Sequence, residues 1–342
     1  MTVTVIDPLL SDVAAEAMVH LWHSYESYGQ YSNEGFDTNF APELSQRYDA
    51  AVNFVRTGGR FGRVDEDRAL LAARTNYFRE TYFYRGHAGG DAVGPSIKAF
   101  RDNERLLDAA RRLHDRPVTV PAIVYANVLL PGQELAVHTD VPEFRGANRR
   151  IVPQWLLVVM RHSELFEDWR MRIATGIAYF GEARGGDLAY YPDGAAGPAV
   201  VHRPAHNTAA LLDTDSVFHG VDRVEGDEEA LSRLRPGMRL HHDGDRRWTV
   251  RDDRGAVVAE YGTDDLRYSV SWKAYCFADD DERDAWATHA DDLALDVILD
   301  VLVDDLRRRG RLGPDERRPA DAALGKLLID TYIHFPAAVP AS

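Results

Sequence analysis

The chain has 342 residues, 40 of them Lys or Arg and 55 Asp or Glu, for a formal net charge of −15. That balance disfavours nucleic acid and anionic membrane as partners, since both need a basic footprint, although a local basic pocket is compatible with it. The lone cysteine, Cys276, rules out an internal disulfide and a cysteine-based zinc site, and suits a reducing cytoplasm.

The opening MTVTVIDPLL lacks the basic and long apolar regions of a signal peptide. No apolar run approaches a membrane span, WLLVVM at 155–160 being among the longest. Leu9, Val13, Ala17 and Leu21 recur near i+4 and predict a helix over 9–28, with Ser11 and Asp12 near its start. A polar, aromatic loop follows. Residues 43–56 and 64–80 read as helices around the Gly-rich break RTGGRFGR at 56–63. That break is not a phosphate loop, because no strand precedes it and no Gly-Lys-Ser/Thr follows. TYFYRG at 81–86 suits a first strand, and 96–114 another helix closed by Pro117. The aromatics Tyr77, Phe78, Tyr82, Phe83 and Tyr84 read as core.

Beyond residue 115 the texture changes. VTVPAIVYANVLL at 118–130 has the composition of a buried strand, and Pro131-Gly132 turns the chain into a second strand, ELAVHTD. The segment 141–150 is a loop carrying Arg145, Arg149 and Arg150, and 154–169 reads as a helix. Short strands resume at 172–180, 187–193, 199–204, 207–213 and 218–224. A polar insert at 225–264 contains a hairpin turning near Asp253-Arg254-Gly255, and His241-His242-Asp243 within it reads as a solvated turn. LRYSVSWKAYCF at 266–277 is a final strand. Many short strands with turns about every ten residues indicate a β sandwich or barrel.

The tail returns to helix over 291–309, where Asp292, Asp296, Asp300 and Asp304 form a solvated stripe and Leu293, Val297, Val301 and Leu302 lie off it, toward the β core. A last helix spans about 320–334. The fold class is therefore α+β. One domain spans 1–342: a helix-rich 1–115, a β core over 116–278 with the insert 225–264, and C-terminal helices over 279–342.

The chemistry concentrates in PGQELAVHTD at 131–140. On a strand, side chains alternate, so His138 and Asp140 share a face while Thr139 points away. Imidazole and carboxylate two residues apart can bind one metal, and a second histidine would complete a facial triad suited to Fe(II). His-x-Asp alone is common enough to be a solvated loop, so its surroundings decide.

Those surroundings resemble the Fe(II)- and 2-oxoglutarate-dependent dioxygenases, in particular their prolyl-hydroxylase-like branch. Pro-Gly-Gln-x-Leu-x-x-His-x-Asp at 131–140 is similar to that branch's first-ligand strand, and Gly-Gly-Asp-Leu-x-Tyr at 185–190 to the strand that follows. His219-Gly220-Val221 resembles the second-histidine segment and Arg267-Tyr268-Ser269 the Arg-x-Ser that grips the co-substrate. The resemblance runs over about 115–278, in family order. It implies a double-stranded β-helix (jelly-roll) core, with Fe(II) held by His138, Asp140 and His219, 2-oxoglutarate by Arg267 and Ser269, and dioxygen as the remaining co-substrate.

Two departures from the family pattern stand out. Arg267 follows His219 at much more than the usual spacing, which the insert would account for as a flap between core strands. If it does not, Arg223, Arg233 or Arg235 are alternative cations, and Lys273 is another. Second, position 129 is Leu where a tyrosine is frequent, so Tyr125 or Asn127, of the same strand parity, would take its place. Asp140, rather than Gly or Ala, argues against halogenation. The resemblance thus implies hydroxylation of a small molecule, an amino acid or natural-product intermediate, coupled to decarboxylation of 2-oxoglutarate to succinate and CO2, with desaturation or cyclisation as variants. Arg145, Arg149 and Arg150 would sit near the pocket mouth and suit a carboxylated substrate. A peptidyl or prolyl-type hydroxylase is the second reading, and a catalytically silent, cupin-like metal-binding or sensor protein the third.

Overall fold

The structure, a computed structural model, describes residues 3–25, 27–30, 60, 68–75, 77–86 and 94–337. The expected helix over 43–56 and most of the Gly-rich break lie outside the described residues. In chain order the strands and helices are β1 (Thr4–Ile6), α1 (Asp12–Ser24), β2 (Tyr28–Gln30), α2 (Arg68–Thr75), β3 (Phe78–Arg85), α3 (Gly94–Arg101), α4 (Glu104–His114), β4 (Val118–Leu129), β5 (Leu135–His138), α5 (Gln154–Ser163), β6 (Arg172–Phe180), β7 (Leu188–Tyr191), β8 (Val200–His202), β9 (Thr208–Leu212), β10 (Phe218–Val221), β11 (Arg239–His242), β12 (Arg247–Arg251), β13 (Val257–Gly262), β14 (Arg267–Phe277), α6 (Asp280–Ala287), α7 (Leu295–Arg308) and α8 (Asp321–Tyr332).

The strands form two sheets. The larger runs β1-β9-β6-β14-β4-β3-β2-β11-β12-β13 and the smaller β5-β10-β7-β8, with antiparallel neighbours throughout. From β4 onward the chain alternates between them: β4 lies in the large sheet, β5 in the small, β6 in the large, β7 and β8 in the small, β9 in the large, β10 in the small, and β14 returns to the large. Two facing sheets of four such strands are a double-stranded β-helix, the jelly roll.

β14 shows how the sequence builds both layers at once. Its residues are all buried, yet they alternate in chemistry: Tyr268, Val270, Trp272 and Ala274 on one side, Arg267, Ser269, Ser271 and Lys273 on the other. With period-2 alternation the first set packs under α1 and α4, in a cluster with Trp22, Leu106 and Val124, and the second faces the small sheet. The small sheet is closed from outside by Leu156, Leu157 and Val159 of α5, Ile298, Leu302 and Leu306 of α7, and Leu324 and Leu328 of α8, which join Val137, Tyr191 and Phe218 in one apolar cluster.

Several expectations shift in detail. The helix over 96–114 is two helices, because Asn103 caps α4, its side chain accepting from the Arg105 and Leu106 amides. The N-terminal region also contributes β1, β2 and β3 to the large sheet. Val297 is 49% exposed, since the buried face of α7 is set by Ile298, Leu302 and Leu306. The insert is no loose flap: β11 pairs with β2, and β12 and β13 extend the large sheet beyond it. His242 stacks on His23 with ring centroids 4.6 Å apart, and its Nδ1 lies 2.9 Å from the His23 carbonyl, so His241 and His242 belong to a strand rather than a solvated turn.

Candidate active site

β5 ends at His138, and Asp140 lies just beyond it. What holds Asp140 is its amide, which donates to the Thr214 carbonyl at 2.8 Å. His219 lies directly opposite His138 in the β5–β10 register. The entry into β5 is fixed as well: the Gly132 amide donates to the Val224 carbonyl, and Arg74 donates to the Gly132 carbonyl and pairs with Glu228. His138, Asp140 and His219 each offer one ligand atom, all within 4.8 Å of one another.

Both imidazoles are oriented for ligation. His138 Nδ1 lies 2.6 Å from the Ala136 carbonyl and His219 Nδ1 2.9 Å from the Val217 carbonyl. A carbonyl only accepts, so each Nδ1 carries a proton and Nε2 is the nitrogen left to face Asp140. Burial, with the nearby His138, lowers the His219 pKa to about 3, which keeps its imidazole neutral. Burial alone would raise the Asp140 pKa, but Lys273 and the two histidines outweigh it and hold the carboxyl well below its usual range.

Asp140 divides its two oxygens. Oδ1 lies 3.5 Å from His138 Nε2 and 3.9 Å from His219 Nε2, while Oδ2 accepts from Lys273 Nζ at 2.7 Å. Lys273 also lies 3.9 Å from Asp215, a fully buried carboxyl that burial pushes up to about 7. One carboxylate oxygen beside two imidazole Nε2 atoms can serve as the donor set of a two-histidine, one-carboxylate metal site.

Arg267 lies in the same cavity and is 4% exposed. Its Nε donates to the Gly186 carbonyl at 2.6 Å and its Nη1 to Ser269 Oγ at 3.3 Å, while Nη2 is buried with no hydrogen-bond partner among the described residues. Gly186 has φ +66, and a Cβ there would fall 2.3 Å from Arg267 Cδ, so this glycine makes room for the arginine side chain. The Tyr179 ring lies 5.4 Å from Arg267 Cζ, and its buried hydroxyl also lacks a partner among the described residues. A buried guanidinium left with a free donor can accept a ligand carboxylate.

No family model and no curated protein matches the sequence. Solved structures do. A prolyl hydroxylase from Trichoplax adhaerens, in complex with a hypoxia inducible factor oxygen degradation domain peptide fragment, aligns over 82% of this chain and 86% of its own at 14% identity and TM-score 0.40. SnoN, a non-heme alpha-ketoglutarate-dependent epimerase from nogalamycin biosynthesis, aligns over 80% and 78% at 8% identity and TM-score 0.41. HygX from Streptomyces hygroscopicus, with nickel, 2-oxoglutarate and hygromycin B bound, aligns over 80% and 82% at 11% identity and TM-score 0.38. At these scores the reading of the cavity rests on its own residues.

The cavity holds about 100 Å³, several times the ~10–15 Å³ that a single water needs. His138, Asp140, His219, Arg267, Ser269, Tyr125, Asn127 and Arg149 all line it. Asn127 donates to Ser271 Oγ at 3.3 Å. Arg145 does not line it: its Nε is 2.8 Å from Asp291, and its Nη2 donates to the Asp168 carbonyl. Arg150 is exposed and also lies outside the lining. Of the alternative cations, Arg223 pairs with Glu228, Arg233 with Glu229, and Arg235 donates to the Ser232 and Leu234 carbonyls.

Some lining residues escaped the sequence reading. Arg79 of β3 lies 4.0 Å from the Tyr125 ring centroid, Thr175 and Ile177 line the cavity from β6, and Gln154 lines it from the start of α5. Register could have found the β-strand members once pairing was known. Ser269 sits between Asn127 and Tyr179, Ser271 between Tyr125 and Ile177, and Arg79 opposite Asn127, so these side chains share one face.

Proposed function

We propose that this chain is an iron(II)- and 2-oxoglutarate-dependent oxygenase that hydroxylates an unactivated C–H bond of a small molecule. The observation that carries the reading is the buried Arg267, with Nη2 unpartnered among the described residues, in one cavity with His138, Asp140 and His219. A metal site alone would suit a silent cupin; a metal site beside a carboxylate seat suits an enzyme that needs a dicarboxylic co-substrate.

His138 and His219 would ligate iron through Nε2 and Asp140 through Oδ1. Lys273 orients that carboxylate by holding Oδ2. Arg267 would bind the distal carboxylate of 2-oxoglutarate through Nη2, and Ser269, whose oxygen accepts from Arg267, keeps its own proton to donate. Iron(II) with 2-oxoglutarate and dioxygen supplies the oxidising power, the keto acid being consumed to succinate and CO2. Arg79, Arg149 and Tyr125 line the same space and favour a small substrate carrying an anionic group. We assign the whole chain to one oxygenase unit working in the cytoplasm; among the described residues no helix is long and apolar enough to cross a membrane.

The test is anaerobic. Fe(II) and then 2-oxoglutarate are added to purified protein, and the weak visible metal-to-ligand charge-transfer band is expected. Folded protein that binds Fe(II) without developing the band would remove the co-substrate assignment. Protein that binds no iron would remove the enzyme assignment altogether.

A further inference from the structure

A second cavity, of about 950 Å³, opens where the C-terminal ends of α4 and α5 meet the start of β6. Arg112, Arg116, Arg161, Arg170, Arg172 and His114 line it, against the acids Glu164, Glu167 and Asp213. In a chain of net charge −15 this is a local excess of positive charge.

The internal pairing leaves that excess uncancelled. One carboxylate, Glu167, is shared by three guanidiniums: Arg172 at 3.2 Å, Arg161 at 3.3 Å and Arg170 at 3.5 Å. Asp213 takes Arg170 at 2.8 Å, and Arg161 spends its Nε and Nη2 on the hydroxyl of Ser216. Arg112 has no ion pair among the described residues, and Arg116 reaches Glu282 outside the lining. The Arg170 side chain is 2% exposed, yet its Nε has no partner among the described residues, and neither does the buried Nε2 of His114. Burial, and then the charge of Arg170, lowers the pKa values of Arg161 and Arg172, as expected where cations crowd one another. Forked donors around a partly shielded space match an acceptor-rich oxyanion.

We infer that this arginine-lined cavity is a binding site for a multiply charged oxyanion, the phosphate group of a small molecule or free polyphosphate, separate from the metal centre. The two share a wall. The turn after β9 accepts Arg170 through Asp213, while the Thr214 carbonyl accepts the Asp140 amide.

The experiment is calorimetric titration of the metal-free full chain with inorganic pyrophosphate, and separately with glycerol 3-phosphate, at fixed ionic strength. Binding is expected to weaken as sodium chloride rises. Arg172→Gln and the surface variant Arg112→Gln should each bind at least tenfold more weakly, while Arg267→Gln should bind as the parent does. Tighter binding of pyrophosphate points to free polyphosphate, and tighter binding of glycerol 3-phosphate to a phosphoester. Absence of binding by the parent at millimolar probe overturns the inference. So does loss of binding in Arg267→Gln with Arg112→Gln unchanged, which would put the anion in the metal cavity.

Discussion

Lys273 Nζ and Asp140 Oδ2 lie 2.7 Å apart, while the two imidazoles approach the other oxygen, Oδ1. The Lys273 side chain is 8% exposed and that of Asp140 22%. Burial alone would lower the lysine's pKa, but Asp140 and Asp215 more than offset it, so the ammonium persists. Removing one member of a buried pair strands the other's charge and costs about 3 kcal/mol. Lys273→Met should therefore lower the stability of the metal-free protein by about that much. A divalent cation would compensate Asp140 in its place, so Mn(II) should stabilise the variant more than the parent. Urea melts with and without Mn(II) measure both. A variant as stable as the parent without metal would mean that the pair does not balance the site.

The two histidines make a sharper demand. Neither His138→Ala nor His219→Ala leaves a nitrogen at its position, so both variants should lose the Fe(II)- and 2-oxoglutarate-dependent absorption band. In each the other imidazole keeps its hydrogen bond, to the Val217 or the Ala136 carbonyl, so the far-UV spectrum and the melting cooperativity should remain those of folded protein. Retention of the band in either variant would move the metal elsewhere.

Gly186 should matter as much as the arginine it seats. Its carbonyl accepts Arg267 Nε, its φ is +66, and an added Cβ would lie 2.3 Å from Arg267 Cδ. Gly186→Ala should displace the guanidinium and raise the 2-oxoglutarate concentration needed for the band at least tenfold, as Arg267→Ala should. Fe(II) binding measured without 2-oxoglutarate should change little in either. An unchanged 2-oxoglutarate requirement in both would assign the co-substrate seat to another group.

The sheet and the strand that ends at His138 are legible in the sequence because their signals are local. β14 alternates polar and apolar residues from Arg267 to Ala274, and the Pro131-Gly132 turn announces β5. Asp140 was grouped with His138 on strand parity, yet β5 stops at His138, and it is the Thr214 carbonyl that holds Asp140 in place. That contact joins residues far apart in the chain, which periodicity cannot register. Tyr179 and Arg79 were missed for the same reason, since their shared face with Ser269 and Asn127 exists only once strand order and register are set. The pairing of the insert with β2 is not legible in the sequence, because β2 is three residues long and too short to announce itself.

The joint between that insert and α1 should sense pH. His23 stacks on His242 at 4.6 Å and lies 5.1 Å from Trp22, and Trp22 stacks on Trp248 of β12 at 5.2 Å. Burial, then the neighbouring His242, Arg246 and His20, lowers the His23 pKa to about 4. In an unfolded chain a histidine ionises near 6.5. Between those values the unfolded chain binds a proton that the folded one refuses. The stabilisation is therefore fully present above pH 6.5 and is lost as pH falls toward 4. His23→Phe keeps a ring in the stack and leaves the His23 backbone carbonyl for His242 Nδ1. Thermal melts from pH 7 to 4 should show a shallower fall for this variant than for the parent. Equal slopes would mean that the proton sensitivity of the fold resides in other groups.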